Sequence, residues 1–294
     1  PEIGIQSLIE QASYVISDQG YLRHQKTWRQ DVLGFIKEHH SDLPYDLVDT
    51  DLIVPIHVAS NKAEYGAFTI RPKIKNMYMS FRDFTTLNQL ENHKQIDIVS
   101  DDIDMNIHQI LDHLDLDQSV KPSPLYRGGY QKASEMLDDF IETKLNHYHE
   151  SNDPSLNLTS KLSLYLHFGH ISSLEILDRI LYHASHKHIN GEALDGFIEQ
   201  LLVRRELAFN YVYYQEGYDQ FEHMTETWAY MTMREHDKDQ RPYIYQANDY
   251  EMFKTHDPYF NAAMKEMVLT GYMHNYMRMY WAKKIIEWSP SFKI

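Results

Sequence analysis

Two periods of apolar and polar residues run along this chain, and the change from one to the other divides it. Near the start, Tyr14-Val-Ile is a short β-branched run ending at Asp18-Gln-Gly20, and Leu52-Ile-Val-Pro55 is a second apolar run; each predicts a short strand. Between them, residues 21–40 carry apolar side chains at helical spacing and predict an amphipathic helix. Two strands do not make a stable sheet alone, so this opening reads as the end of an α/β domain. From residue 61 onward the pattern is helical almost throughout. A helix containing Ile70-Arg-Pro-Lys-Ile74 comes first, then a connector to about residue 123, then helices over about 129–148, 170–184, 192–214, 225–235, 258–269 and 272–287. Asp257 followed by Pro258 is a helix-start signal, and neither internal repeats nor low-complexity segments interrupt the series.

Two of these helices carry more than a packing stripe. In the 192–214 helix, Leu194, Phe197, Ile198, Leu201, Leu202 and Ala208 form the apolar face, with Gln200 and Arg204 as an i, i+4 pair on its flank. In the last helix Arg278, Trp281, Ile285 and Trp288 share one face, which predicts a buried or half-buried stripe holding a cation and two indoles roughly 10 Å apart along the axis. Spacing alone leaves two readings open: an aromatic packing stripe with a snorkelling arginine, or a functional arrangement of cation and indoles. The loop Thr159-Ser-Lys-Leu-Ser163 places three hydroxyls and several amides before an apolar helix. That chemistry serves a helix cap, and it also serves a diphosphate, which needs donors without bulk.

Composition narrows the function classes. With 294 residues and 43% apolar content the chain has room for one large or two ordinary domains with a real core. It contains no cysteine, which removes disulfides, Cys-zinc sites and thiol nucleophiles. Its 18 histidines include the close pairs His147/His149 and His167/His170 but no His-Glu-x-x-His motif, so no structural metal is expected. There is no run of 18 apolar residues and no signal-peptide pattern, so the expectation is a soluble intracellular protein without a membrane partner. A net charge of −15 argues against coating nucleic acid by bulk electrostatics. Local basic patches remain: residues 271–294 hold Arg278, Lys283, Lys284 and Lys293 against the single acid Glu287, and Arg204 and Arg205 are adjacent. Between Asp97 and Asp117 lie seven aspartates and no Lys or Arg, which reads as a solvated connector because the spacing of an EF-hand loop is missing.

Six separated segments give the sequence a family likeness. They are Gly20-Tyr-Leu-Arg with Trp28-Arg29; Val58-Ala-Ser-Asn-Lys with Thr69-Ile-Arg-Pro-Lys-Ile74; Ser160-Lys-Leu-Ser-Leu-Tyr-Leu-His-Phe-Gly169; Val203-Arg-Arg-Glu-Leu207; Lys254-Thr-His-Asp-Pro258 with Asn261-Ala-Ala; and Met277-Arg-Met-Tyr-Trp-Ala-Lys-Lys284. In this order they resemble the photolyase/cryptochrome family, and most of all the class II cyclobutane pyrimidine dimer photolyases. The resemblance implies a mainly α fold: a remnant of an N-terminal doubly wound α/β domain followed by an all-helical FAD-binding domain. It implies residues 1–60 as the C-terminal part of the α/β domain, 61–124 as a helical and acidic connector, and 125–294 as the FAD-binding domain. The family's initial strands and the segment beyond Trp288 that completes the flavin pocket are expected to lie outside this chain.

The function implied is light-driven repair of cyclobutane pyrimidine dimers in DNA by electron transfer from reduced FAD. A flavin photoreceptor without repair activity is the alternative, and a helical interaction protein without cofactor is the reading that owes nothing to the resemblance. By resemblance Thr159, Ser160, Leu162 and Ser163 form the FAD phosphate loop and Arg278 stands beside the isoalloxazine. Gln200 faces the flipped dimer, Trp281 and Trp288 belong to an electron-hopping chain, and Arg204, Arg205 and Asn275 face DNA. A monomer is expected, in the cytoplasm at the nucleoid or in the nucleus of a eukaryote; an antenna chromophore is a further family trait that no residue here identifies. Three departures from the family pattern stand out: Gln200 replaces a glutamate, Phe260 replaces a tryptophan of the hopping chain, and His147 and Ser151 replace a tyrosine and an arginine, with Tyr148 available to take over the tyrosine's place by a one-residue shift.

Overall fold

The computed structural model of the protein describes residues 4–82, 111–112, 114, 116–117 and 119–293, and the acidic stretch from Asp97 falls mostly outside the described residues. The chain forms two compact units, one of Pro1–Thr50 with Ser80–Val120 and one of Asp51–Met79 with Lys121–Ile294. The sequence placed boundaries at residues 60 and 124. The segment that follows Thr50 instead belongs with the helices, for a reason given below.

In the first unit, strand Val15–Asp18 pairs in parallel with strand Tyr45–Val48, Val15 opposite Tyr45 and Asp18 opposite Val48. The helix Arg23–His39 connects them, as the helical spacing of residues 21–40 predicts. Its start is fixed by Gly20 and Gln25. Gly20 sits at a φ of +47°, and a Cβ there would lie 2.9 Å from Gln25 Cβ. The Gln25 side chain is thereby free to accept from the Tyr21 and Leu22 amides at 2.9 and 3.0 Å, tying down the turn that leads into the helix.

The second strand is a correction. Leu52-Ile-Val-Pro55 is not a strand, although Leu52, Ile53 and Val54 are all buried. Its amides are taken by a side chain: Glu206, 1% exposed, accepts from the Ile53 and Val54 N–H groups at 2.9 and 3.3 Å. One turn later Asn210, fully buried, accepts from the Glu64 amide at 2.8 Å and donates to the Lys62 carbonyl at 3.1 Å. A run of backbone that would otherwise lie buried with unmet hydrogen-bonding groups is thus tied to the helix Arg205–Tyr214.

The remaining helices are Ala67–Met77, Tyr130–Thr143, Ser173–His186, Gly191–Ile198, Thr227–Glu235, Pro258–Thr270 and Asn275–Trp288, with shorter turns between them. Leu137, Phe140, Leu145, Ile176, Leu177, Ile180 and Leu202 are completely buried and form the centre of the second unit. The start of the Pro258–Thr270 helix is the one read from sequence: Asp257 accepts from the Tyr259 and Phe260 amides at 2.8 and 3.0 Å.

An ion pair between a buried carboxylate and a partly exposed lysine supports the Ala67–Met77 helix. Glu64, 8% exposed, accepts from Ser60 Oγ and from Lys73 Nζ. Burial on its own would push the Glu64 carboxyl up, but hydrogen bonds from Lys73, Ser60 and Thr69 outweigh it and hold the group at about 2. The folded value lies below the unfolded one, so ionised Glu64 stabilises the fold at every pH above the ordinary carboxylate range, and this contribution is lost as pH falls toward about 2. Glu64→Gln is expected to cost about 2–3 kcal/mol at neutral pH and to flatten the acid limb of stability against pH in urea titrations. An acid limb as steep as in the unaltered protein would assign the proton uptake to other groups.

Candidate cofactor cavity and aromatic column

A cavity of about 450 Å³ opens in the second unit, within the size range of small-molecule sites. Four segments build it: the turn after Leu145–Glu150, the loop Thr159–Ser163, the helical run from Glu192 to Arg205, and Tyr272 to Arg278. Of the residues predicted from sequence, Thr159, Ser160, Leu162, Ser163, Gln200, Arg205, Asn275 and Arg278 all line it. Ser151 and Tyr148 line it too, and His147 does not.

The loop is held in an uncommon conformation. Lys161 has a φ of +58°, a left-handed geometry that costs a β-carbon residue energy, and its ammonium lies 5.0 Å from the centre of the Tyr272 ring. Thr159 Oγ1 and Tyr272 Oη are 2.8 Å apart. Burial pushes the Lys161 ammonium down and the Tyr272 phenol up from their ordinary values. Lys161, Arg205 and Arg278 line the cavity with one acid, Glu192, so a chain of net charge −15 carries a local surplus of positive charge here.

Gln200 reaches the cavity from a π-helical turn, Glu199–Arg204, inserted between the helices Gly191–Ile198 and Arg205–Tyr214. The turn buries Leu201, Leu202 and Val203 in succession and is anchored from outside. Glu199 binds Arg71 in a two-pronged pair at 2.8 and 2.8 Å and also meets Arg204 Nε at 3.3 Å. The predicted Gln200/Arg204 pair therefore separates: Arg204 turns to Glu199, away from the cavity lining. Arg205 lines the cavity with its guanidinium tethered to the Asp51 carbonyl at 2.6 Å.

The stripe on the last helix also divides. Arg278 and Asn275 are exposed and line the cavity, whereas Trp281 and Trp288 belong to a separate cluster behind it. The stripe expected to be buried or half-buried thus has its cation exposed, Trp281 half-buried and Trp288 buried. Phe260, fully buried, stands between the two indoles, 6.5 Å from Trp281 and 5.6 Å from Trp288 by ring centres. Phe260 thus occupies the centre of the aromatic column. Tyr280 donates to Asp257, which pushes its phenol up to about 12 and locks the two helices of the column together.

His274 is a cavity residue that the sequence reading missed. It caps the last helix, with Nδ1 accepting from the Tyr276 amide at 3.2 Å, which leaves the ring proton on Nε2. The ring is 5% exposed and Nε2 makes no hydrogen bond of ordinary length and angle, the Ser151 backbone standing only as a weak acceptor. Burial holds its pKa below the ordinary histidine value, outweighing the Ser151 backbone, which favours the charged form. A neutral N–H donor left without a good acceptor in a polar cavity fits a ligand that brings one. With three lining cations and the hydroxyls of Thr159, Ser160 and Ser163, the residues present fit an anionic, phosphate-bearing cofactor. Among the described residues, no group of three or more His, Asp or Glu side chains is arranged to hold a metal ion.

Comparison with known proteins follows the same outline. The chain is 37% identical over 281 residues to the deoxyribodipyrimidine photo-lyase of Methanothermobacter thermautotrophicus, covering 95% of this chain and 59% of that protein. It is similar in structure to the cryptochrome of Synechocystis sp. PCC6803, with a TM-score of 0.67 at 14% identity over 96% of this chain and 57% of that one. An archaeal photolyase from Sulfolobus tokodaii, solved with two FAD molecules, matches with a TM-score of 0.60 at 16% identity, over 96% of this chain and 56% of that one. The mainly helical fold is therefore that of the photolyases and cryptochromes, and the chain spans somewhat more than half the length of each of these proteins. No family model matches the sequence.

The His274 geometry carries its own test. Its imidazole is expected to titrate below the ordinary histidine range in NMR, and its Nε2 resonance to move when FAD is added, as the donor finds a better acceptor. A normal titration with no response to FAD would place the ring outside the ligand's reach.

Proposed function

We propose that this chain, related to deoxyribodipyrimidine photo-lyases, is the flavin-binding part of a photolyase/cryptochrome family member that repairs cyclobutane pyrimidine dimers in DNA, of the class II type. The observation that carries the reading is the convergence of the hydroxyl loop Thr159–Ser163, Arg278, His274 and Gln200 on one cavity, with two indoles, Trp281 and Trp288, on the helix that supplies Arg278. Bound there, reduced FAD would supply an electron to the dimer under light and take it back once the two carbon–carbon bonds between the bases have broken. The protein's own groups bind and orient. The loop hydroxyls and Lys161 would hold the diphosphate, and Arg278 would place a positive charge where a reduced, anionic ring is favoured. Gln200 offers both an acceptor and a donor to the carbonyl and imide of an extruded base. Arg205, Asn275 and the exposed Arg204 serve the DNA backbone around it. A monomer acting wherever the genome lies follows from this reading.

A photoreceptor without repair activity is the second reading, favoured by Gln200 and Ser151 in the cavity lining, at positions where the class II resemblance implies an acid and an arginine. The visible absorption spectrum of the purified full-length protein tests for flavin, and dimer repair compared in light and dark separates the two readings. The reading fails if the full-length protein takes up no flavin.

Restoring Gln200→Glu together with Ser151→Arg is expected to tighten binding to dimer-containing DNA by about two orders of magnitude or more, since each charge-assisted hydrogen bond in a desolvated site contributes about 1.5–3 kcal/mol. The gain should exceed that on undamaged DNA; equal gains would reduce the effect to the arginine's attraction for phosphate and remove Gln200 from the lesion pocket. The column has a test of its own. Phe260→Trp is expected to speed photoreduction of oxidised flavin in transient absorption, because an indole loses an electron far more easily than a phenyl ring. Rates that do not change would mean that Trp281 and Trp288 already exchange electrons past Phe260, or that the column is packing only.

A further inference from the structure

The π turn that carries Gln200 into the cavity is clamped at both ends by one early stretch of chain. Behind it, Arg205 donates to the Asp51 carbonyl at 2.6 Å and Glu206 accepts from the Ile53 and Val54 amides at 2.9 and 3.3 Å. In front of it, Glu199 accepts from Arg71 Nε and Nη2, both at 2.8 Å. Arg71 stands on the helix Ala67–Met77, where its neighbours Ile70 and Ile74 are completely buried, so the guanidinium projects from a fixed base. Lys73 on the same helix is held to Glu64, and the Glu64 amide is held to Asn210 beyond the turn. Hydrogen bonding from Arg71, more than any other cause, keeps the Glu199 carboxyl below the ordinary carboxylate range and therefore ionised at neutral pH.

The front clamp decides where Gln200 points. A π turn holds one residue more than the α-helix it interrupts. With Arg205 and Glu206 fixed, a return to the α ladder would swing the residues before them by about 100°, the step of one helical residue. Burial of Leu201, Leu202 and Val203 sets the inner side of the turn. Gln200 is exposed and gains no burial from facing the cavity, so its direction is left to Glu199, the residue before it.

Glu199 also meets Arg204 Nε at 3.3 Å, and the two arginines are held differently. The Arg204 side chain is 55% exposed and binds the carboxylate through one nitrogen, whereas Arg71 binds it through two, in the fork that matches a carboxylate. A phosphate that reaches Arg204 can draw it away from Glu199 while Arg71 keeps the turn in place.

We propose that Arg71, through its two-pronged pair with Glu199, is the positioning residue that sets Gln200 toward the substrate. What Gln200 meets there is taken from the repair reading. Neither Arg71 nor Glu199 lines the cavity, so the pair acts on a bound base only by way of the turn. Discrimination between dimer-containing and undamaged DNA then depends on a residue outside the cavity, on a helix that supplies none of its lining.

The test is a double-mutant cycle on the flavin-loaded full-length protein, with affinity measured for dimer-containing and undamaged DNA of one sequence. Arg71→Gln is expected to lower the ratio of the two affinities about tenfold, since a misplaced Gln200 forfeits two ordinary hydrogen bonds. Gln200→Ala should lower it by a similar factor. In the Gln200→Ala background Arg71→Gln should lower it no further, whereas a merely structural role would subtract the same factor again. Glu199→Gln reaches the pair from its other side and is expected to match Arg71→Gln, which guards against a folding defect in one variant. Where the unaltered protein discriminates, an unchanged ratio in folded Arg71→Gln or Glu199→Gln overturns the proposal, and so does a full further loss in the Gln200→Ala background.

A second arm needs neither flavin nor DNA. In a crystal structure of the Arg71→Gln variant, the Gln200 side chain is expected to have swung off the cavity wall. That result supports the positioning role even if the protein takes up no flavin or does not tell dimers from undamaged DNA, in which case only the repair reading falls. A Gln200 side chain still on the cavity wall overturns the proposal.

Discussion

The second unit depends on one buried carboxylate. Glu206 holds the amides of Ile53 and Val54, and without it a run of apolar backbone would have to find hydrogen-bond partners in a sheet or stay in water. Asn210 repeats the device one turn on, so the helix Arg205–Tyr214 carries the 51–64 segment along its length. Ser173 Oγ and Arg205 both donate to the Asp51 carbonyl, which brings a third helix and the cavity wall to the same anchor. The position of Arg205 in the cavity is therefore a by-product of how the segment after Thr50 is secured. Removing a partner from such a network leaves a buried charge unpaired or amides unmet, which costs stability.

The helix that provides this anchor is also where the regular period breaks. A continuous α-helix from Glu192 to Tyr214 would rotate Gln200 and the Leu201–Val203 run by a fixed step, and the π turn adds one residue to the circuit. The extra residue lets three consecutive apolar side chains pack inward while Glu199 leaves for Arg71 and Gln200 enters the cavity. The fold thus uses a local weakness in its ladder, stitched by a two-pronged ion pair outside, to place a polar group where the substrate is proposed to sit.

How much of this was legible in the sequence follows from these cases. The helices from Tyr130 to Trp288 could be read because amphipathic spacing persists over many residues, and the Asp257 cap because its chemistry is local. Leu52-Ile-Val-Pro55 was misread because a short apolar run looks the same whether a neighbouring strand or a distant carboxylate satisfies its amides; Glu206 lies some 150 residues away. The π turn was invisible because Leu201, Leu202 and Val203 all fit an α-helical stripe as well. The cavity residues were mostly found through motif likeness, not through periodicity. His274 escaped because a lone histidine before a helix is an ordinary cap, and only its poorly met Nε2 in the folded chain distinguishes it. The position of Phe260 between two indoles needed two helices to be brought together, which no spacing within either of them specifies.

A chain of net charge −15 that is proposed to meet DNA poses an electrostatic problem, and its solution is local. At physiological ionic strength charges more than about 8 Å apart are largely screened, so acids on remote surfaces contribute little to the potential at the cavity. What a phosphate approaching that rim feels is Arg205, Arg278 and Lys161 against Glu192, with Arg204 partly neutralised by Glu199. Three or four cations of this kind neutralise only a few phosphates, and sequence-independent affinity from counterion release scales with that number. Weak attraction to undamaged DNA follows directly. Discrimination must then come from what enters the cavity, where desolvation makes each hydrogen bond count for more than a surface ion pair, and in this chain that burden falls on the neutral donors and acceptors of Gln200, Asn275 and His274.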